Sequence, residues 1–376
     1  MLNPKSIALT ALFLISTTPL AYSQSTKVED TVDKILAISE AIFTAEQLVG
    51  MQTAIFSGGG IAGSSNLGYA DLEHQVAVTD ITRFEIASVN KTFTGLALLQ
   101  LEELGRLNLD LPIQTYVPEF PEKTEGVITS RQLAGALGGV RHYEDDERTP
   151  GYYAKHYDDP LGALELFKDD PLVSKPGAKE NYSSYGYVLL AAAIQKAAGT
   201  DYETYLQQSL LNPLELMNTG FVDVRIPMEN RSRSYSFIDL YTREEFDEVH
   251  TLPTVEHSSN TGAGNMYSTA HDLAIFGAQF LQPGFISENI YEQVYTPHYA
   301  DDGTATQFSD GWVLVGLGAT PRFLFFGGSY PGTTAILAVY PDNDLVVSIV
   351  TNTWGKSGSN WTFPVLGQIG KAVAAD

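Results

Sequence analysis

The strand-forming runs of this sequence stand near its two ends, with a long helix-rich stretch between them. Near the start, "MQTAIFSGGGIAGSSNLGYAD" reads as two strands joined at a Gly/Ser turn. Near the end, "RFLFFGGSYPGTTAILAVYPDNDLVVSIVTNT" reads as further strands, with "PDND" supplying a hairpin turn. "VEDTVDKILAISEAIF" has helical periodicity, with Val32, Ile35, Leu36, Ile38 and Ile42 on or near one face. The tail "FPVLGQIGKAVAA" reads as a closing helix. The order helix, strands, helical block, strands, helix predicts a sheet assembled from both chain ends, with a helical domain inserted between them. The sheet part is placed at about residues 28–87 and 262–376, and the helical part at about 88–261. There is no internal repeat and no low-complexity linker.

Composition narrows the setting. The chain has 376 residues, 44% of them hydrophobic and 18% charged, enough for a sizeable core. The formal net charge of -23 repels phosphate backbones and anionic headgroups, which argues against nucleic acid as a partner. Lys5, then the apolar run Ile7 to Ile15, then small residues around Ala21 to Ser23, match a secretory signal over residues 1–23. That leaves a mature unit over 24–376 with no membrane span. The absence of cysteine excludes disulfides, thiol catalysis and Cys-based zinc sites. An exported chain without cysteine fits a bacterial periplasm or the medium.

Two features carry no chemistry. "GGGIAG", Gly58 to Gly63, matches G-x-G-x-x-G, but strand and turn follow it where a dinucleotide site needs a helix. The seven histidines show no metal-ligand spacing, so neither a metal nor another cofactor is implied. No G-x-S-x-G elbow occurs either.

"FEIASVNKTFTGLALLQLEELG" places Ser88 three residues before Lys91 at the start of an apolar helical pattern. Residues three apart share a helix face, so the hydroxyl and the amine can meet. A buried Lys91 would lose its charge and serve as a base. The bland alternative makes Ser88 a helix N-cap and Lys91 a solvated side chain. Taken alone, the four-residue pattern favours the bland alternative, since a chain of this size holds about one such pattern by chance.

Longer blocks bear on that choice. The segment from Phe84 to about Phe120 resembles the S-x-x-K region of the penicillin-recognising serine hydrolases. That superfamily includes class C β-lactamases, D-alanyl-D-alanine carboxypeptidases and related esterases. "ITSRQLAGALGGVRHYEDDE", Ile128 to Glu147, is similar to its next block, nearest the branch of the mitochondrial β-lactamase-like serine protein. "PGAKENYSSYGYVLL" resembles the block bearing Tyr-x-Asn, and "GAGNMYSTAHDLAIFG", Gly262 to Gly277, the Gly-rich strand and helix start that follow. The blocks run in family order from about residue 50 to 352.

The resemblance implies a β-lactamase/transpeptidase-like α/β fold, its mostly antiparallel sheet flanked by helices. It implies Ser88 as the acylated nucleophile, Lys91 as its partner and Tyr182 as the tyrosine that moves a proton. Two motif positions depart. Ser184 stands where the family has Asn. Phe326, followed by Gly327 and Gly328, stands where it has a lysine or histidine beside the substrate, and a phenyl ring neither holds a carboxylate nor carries a proton. The backbone of Ser329 aligns with one half of the oxyanion hole and that of Ser88 with the other. The implied function is a secreted hydrolase of a small ester, amide or peptide. The alternative is a degenerate member that binds a ligand or self-assembles without turnover.

Overall fold

The computed structural model describes residues 20–144, 147, 149, 151–316 and 323–374. The expected export signal, 1–23, falls almost entirely outside them. In chain order, α1 (Leu20–Ala45) leads into the hairpin β1 (Gly50–Ser57) and β2 (Gly60–Asp71), then β3 (Val76–Ala77) and β4 (Phe84–Glu85). A single 3-10 turn, Ala87–Val89, opens into α2 (Asn90–Glu103). The middle of the chain holds α3 (Ser130–Ala134), α4 (Pro160–Ala163), α5 (Ser184–Ala198) and α6 (Tyr202–Leu206). It also holds β5 (Gly220–Phe221), β6 (Tyr235–Ile238) and β7 (Glu245–Thr251). Next come β8 (Met266–Ser268), α7 (Ala270–Ala278), α8 (Glu288–Val294), β9 (Phe308–Ser309) and β10 (Trp312–Val315). The chain closes with β11 (Phe323–Tyr330), β12 (Thr333–Tyr340), β13 (Leu345–Thr351), β14 (Thr353–Trp354) and α9 (Thr362–Ala374).

Both chain ends build one antiparallel sheet, in the order β3-β2-β1-β13-β12-β11-β10-β9. The N-terminal strand β1 pairs with β13 over its length, Met51 opposite Thr351 and Ser57 opposite Leu345. The continuous apolar runs of β12 and β13 follow from burial on both faces. Ala335, Leu337 and Val339 point into the larger core with α2, α5 and α7. Ile336, Ala338 and Tyr340 point the other way, under α1 and α9, against Val32, Ile35, Val365 and Ile369. Period-2 alternation thus sorts neighbouring residues into two separate cores.

The middle block is not purely helical. Strand β6 pairs with β7 on one side and β14 on the other, and β8 pairs with both β5 and β4. Their residues are short runs such as "YSFI" and the charged "EFDEVHT", which carry little strand signal in isolation and are stabilised by partners distant in sequence.

Candidate active site

Ser88 sits in the 3-10 turn ahead of α2, not within the helix. The N-cap of α2 is Val89, with no side-chain cap, so the reading of Ser88 as a capping residue fails. The backbone there is constrained. Ala87 has φ +45°, a conformation non-glycine residues rarely adopt, and it turns the serine out of the chain path. Ile86 N–H donates to Met266 O at 3.0 Å, and Thr94 Oγ1 donates to Gly262 O at 2.6 Å. These bonds clamp the chain on either side of Ser88 to β8 and to the segment before it.

Lys91 is fully buried. Its Nζ lies 3.1 Å from Ser88 Oγ, 3.1 Å from Ser184 Oγ and 2.8 Å from Ala263 O. Burial pushes its pKa well below the ordinary lysine range, with no carboxylate among the described residues opposing the shift. A neutral amine has two protons and one lone pair. Ala263 O can only accept, so a serine hydroxyl is left to donate into that lone pair.

Tyr182 reaches the same oxygen from the far side, its Oη donating to Ser88 Oγ at 3.0 Å. Burial raises its pKa above the ordinary tyrosine value, and its bonds with Ser88 and Ser184 oppose the rise in part. Tyr182 is therefore held as a phenol, a proton donor. Local structure explains its placement. Ser183 is the N-cap of α5, extended at φ -145°, and its Oγ accepts from Gly186 N at 2.9 Å. Extended backbone sends alternate side chains to one side. Tyr182 and Ser184 thus both face Lys91, while Ser183 Oγ donates to Arg141 O at 2.7 Å.

Strand β11 forms the opposite wall. It pairs with β10 only as far as Phe325, opposite Val313, so its edge from Phe326 to Tyr330 is free of β10 and faces the Ser88 turn. A Cβ on Gly328 would lie 2.2 Å from Ile86 O and 2.9 Å from Ser88 N. Only glycine permits this approach, which sets the backbone of Ser329 beside the serine. Phe326 is buried, its ring 6.5 Å from that of Phe308, which in turn stacks 5.5 Å from Tyr182. The structure thus brings Ser88, Lys91, Tyr182, Ser184, Phe326, Gly327, Gly328 and Ser329 to one place.

Other residues join them that no sequence pattern had marked. Ser184 N–H donates to His142 Nδ1 at 3.0 Å, and the His142 ring lies 5.2 Å from Tyr182. Tyr143, His257, Asn260, Phe308 and Phe363 also line the space around Ser88. Burial lowers the pKa of His257, with Glu85 and Glu256 opposing, so this imidazole is neutral. Two His/carboxylate groups, Asp71–Glu73–His74 and His156–Asp223–Glu256, have candidate ligand atoms within 4.8 Å of one another. Their side chains are engaged with protein: His74 with Asp71, His156 with Glu256, and Asp223 with Arg225. None of them lines the space around Ser88.

The beta-lactamase family matches residues 28–363. The chain belongs to that family. Human mitochondrial serine beta-lactamase-like protein LACTB is 29% identical over 314 residues, covering 62% of this chain and 56% of that protein. Protein flp of Staphylococcus aureus (strain MRSA252) is 30% identical over 328 residues, covering 86% of this chain and 63% of the relative. The chain thus spans 56–64% of the length of the curated relatives it matches first. The structure of D-amino acid amidase from Ochrobactrum anthropi SV3 superposes with a TM-score of 0.77 at 20% identity, covering 91% of this chain and 99% of that one. This last likeness bears on the fold alone. Among the described residues no helix is long and apolar enough to cross a membrane.

Proposed function

We propose that the protein is an exported serine hydrolase that cleaves a small ester, amide or peptide through an acyl-enzyme on Ser88. The observation that carries this reading is the pair of hydrogen bonds on Ser88 Oγ, 3.1 Å to a buried, charge-depleted Lys91 and 3.0 Å to Tyr182. Lys91 takes the serine proton as Oγ adds to the substrate carbonyl. The amides of Ser88 and Ser329 receive the developing oxyanion, supported by the close passage of Gly328 and the free edge of β11. Tyr182 gives its proton to the departing oxygen or nitrogen. Water then attacks the acyl-serine, and Lys91 and Tyr182 handle its proton in the reverse sense. Incubation with a fluorophosphonate probe tests the assignment: Ser88 should be labelled in the folded protein, and the label should vanish in Ser88→Ala. A folded protein left unlabelled removes Ser88 as the nucleophile.

A second reading, binding without turnover, draws on Phe326, which puts an apolar ring where relatives are read to carry a cation. It predicts that Ser88→Ala keeps the biological effect and that no acyl adduct accumulates. Ser184 does not favour it, because the hydroxyl there retains the contact with Lys91.

A further inference from the structure

Ser88 lies between two spaces of very different size and chemistry. On one side is a cavity of about 390 Å³ walled by Tyr182, Phe308, Val313, Phe325, Phe326 and Phe363. On the other is a slot of about 20 Å³ bounded by Ser184, His257, Asn260, Ala263 and Gly264. Ser88 and Ser329 border both. The first volume falls in the range that holds a whole small ligand. The second is that of roughly a single water.

The position of the proton donor tells which half of a substrate goes where. A leaving oxygen or nitrogen has to come within hydrogen-bond reach of Tyr182 Oη to receive its proton. Tyr182 lines the large cavity and not the slot. The leaving group therefore departs into the aromatic cavity. The acyl carbon is bonded to Ser88 Oγ with its oxygen toward Ser329, which leaves the slot for the rest of the acyl group.

We propose that the substrate pairs a short acyl group, of acetyl or propionyl size, with a bulky apolar leaving alcohol or amine. This inference rests on the hydrolase reading above and gives its substrate class. In the step, Ser88 Oγ bonds to the carbonyl carbon as its proton passes to Lys91. The carbon–leaving-atom bond breaks, its electron pair stays with the leaving atom, and Tyr182 supplies that atom with a proton. Water then attacks the acyl-serine and gives its proton to the Tyr182 phenolate, and the protonated Lys91 returns a proton to Ser88 Oγ as the short acid leaves. Phe326 has a use in this arrangement. It joins Phe308 and Phe363 in an apolar wall that would be broken by a lysine. Phe363 closes the outer rim from α9 and is 73% exposed, so it can be altered without disturbing the core.

Two ester series on the full chain test the proposal. With benzyl alcohol as the fixed leaving group, kcat/KM should fall at least tenfold from acetyl to hexanoyl. With acetyl fixed, it should rise at least tenfold from methyl to 1-naphthylmethyl ester. Phe363→Ala should flatten the second series by severalfold, and it should lower all members of the first by a similar factor so that the acetyl-to-hexanoyl ratio is kept. Reversed trends, in a protein whose Ser88 is still labelled by a fluorophosphonate, overturn the division of the substrate and leave the hydrolase reading intact. Absence of both labelling and turnover overturns the two together. A flat leaving-group series with labelled Ser88 also rejects the aromatic cavity as the leaving-group site.

Discussion

Ser184 Oγ is hydrogen-bonded to Lys91 Nζ at 3.1 Å, so the hydroxyl at this motif position holds the buried lysine directly. Ser184 also bonds with Tyr182, which ties the lysine and the tyrosine through one hydroxyl. An amide could hold the lysine but could not accept a proton from one side while donating on the other in the same simple way. Removing the hydroxyl strips a buried amine of one partner, a loss of about 1–3 kcal/mol. Ser184→Ala should lower kcat/KM by roughly tenfold or more. Ser184→Thr should retain most activity and Ser184→Asn an intermediate level. Steady-state kinetics on the three variants, each assayed well below its own melting temperature, would measure this. An alanine variant as active as the parent would show the bond to be incidental.

The buried lysine sets a pH dependence. Burial holds its pKa in the folded protein well below the ordinary lysine value of 10.5, so activity that requires the neutral amine should rise as pH passes upward through that lowered value. The acidic limb of kcat/KM should be lost in Lys91→Met along with most of the rate. Stability follows the same sign. Between the lowered folded value and about 10.5 the unfolded chain binds more protons at Lys91, so the folded state gains stability as pH rises through this window. Lys91→Met lacks that gain. The stability difference between parent and variant, from denaturant melts at several pH values, should therefore shift in the parent's favour as pH increases. A pH-independent difference would mean that Lys91 keeps an ordinary pKa.

The parts of this arrangement that were legible in the sequence are those with a local signal. The apolar runs of β12 and β13 and the periodicity of α1 and α9 announce a sheet buried on both faces, with these two helices on one of them. Ser88 and Lys91 are three apart, and Tyr182 and Ser184 two apart, so each pair shares a face by backbone geometry alone. The meeting of the two pairs was expected from family resemblance and is a matter of tertiary packing. His142, Phe308 and Phe363 were illegible for the same reason. They come from a loop, a two-residue strand and the last helix, and only the closed sheet sets them around Ser88. The 3-10 turn at Ser88 was also hidden, because the φ of +45° at Ala87 is imposed by its surroundings and not by an alanine's own preference.

Phe326 should govern the charge tolerated near the leaving group. It is 3% exposed and packs with Phe308 beside Tyr182. Phe326→Lys would place an ammonium in that wall. The variant should improve at least tenfold in its preference for an anionic leaving group, such as 4-(hydroxymethyl)benzoate over benzyl alcohol, both as acetate esters. Loss of the buried ring should cost about 3–5 kcal/mol of stability. Competition between the two esters, read by product ratio, separates this change in preference from any general loss of active protein. An unchanged ratio would remove Phe326 from the specificity wall.

Gly328 should be intolerant of any side chain, for a reason that separates catalysis from folding. The Cβ of Gly328→Ala would stand 2.2 Å from Ile86 O and 2.9 Å from Ser88 N, both backbone atoms that cannot rotate away. Relief has to come from parting β11 and the Ser88 turn by roughly 1 Å. That motion separates the amides of Ser88 and Ser329, the two donors read as the oxyanion hole. Misplacing one such donor costs on the order of 10²-fold in kcat. Gly328→Ala should therefore fall by about that factor in kcat with a smaller change in KM, since the substrate carbonyl needs the donors most in the transition state. The neighbouring Gly327→Ala is the control. Its nearest contact is the Phe325 ring at 3.0 Å, a side chain able to shift, and it should lose far less. Equal losses in the two variants would place the defect in strand β11 as a whole and not in the approach of Gly328 to Ser88.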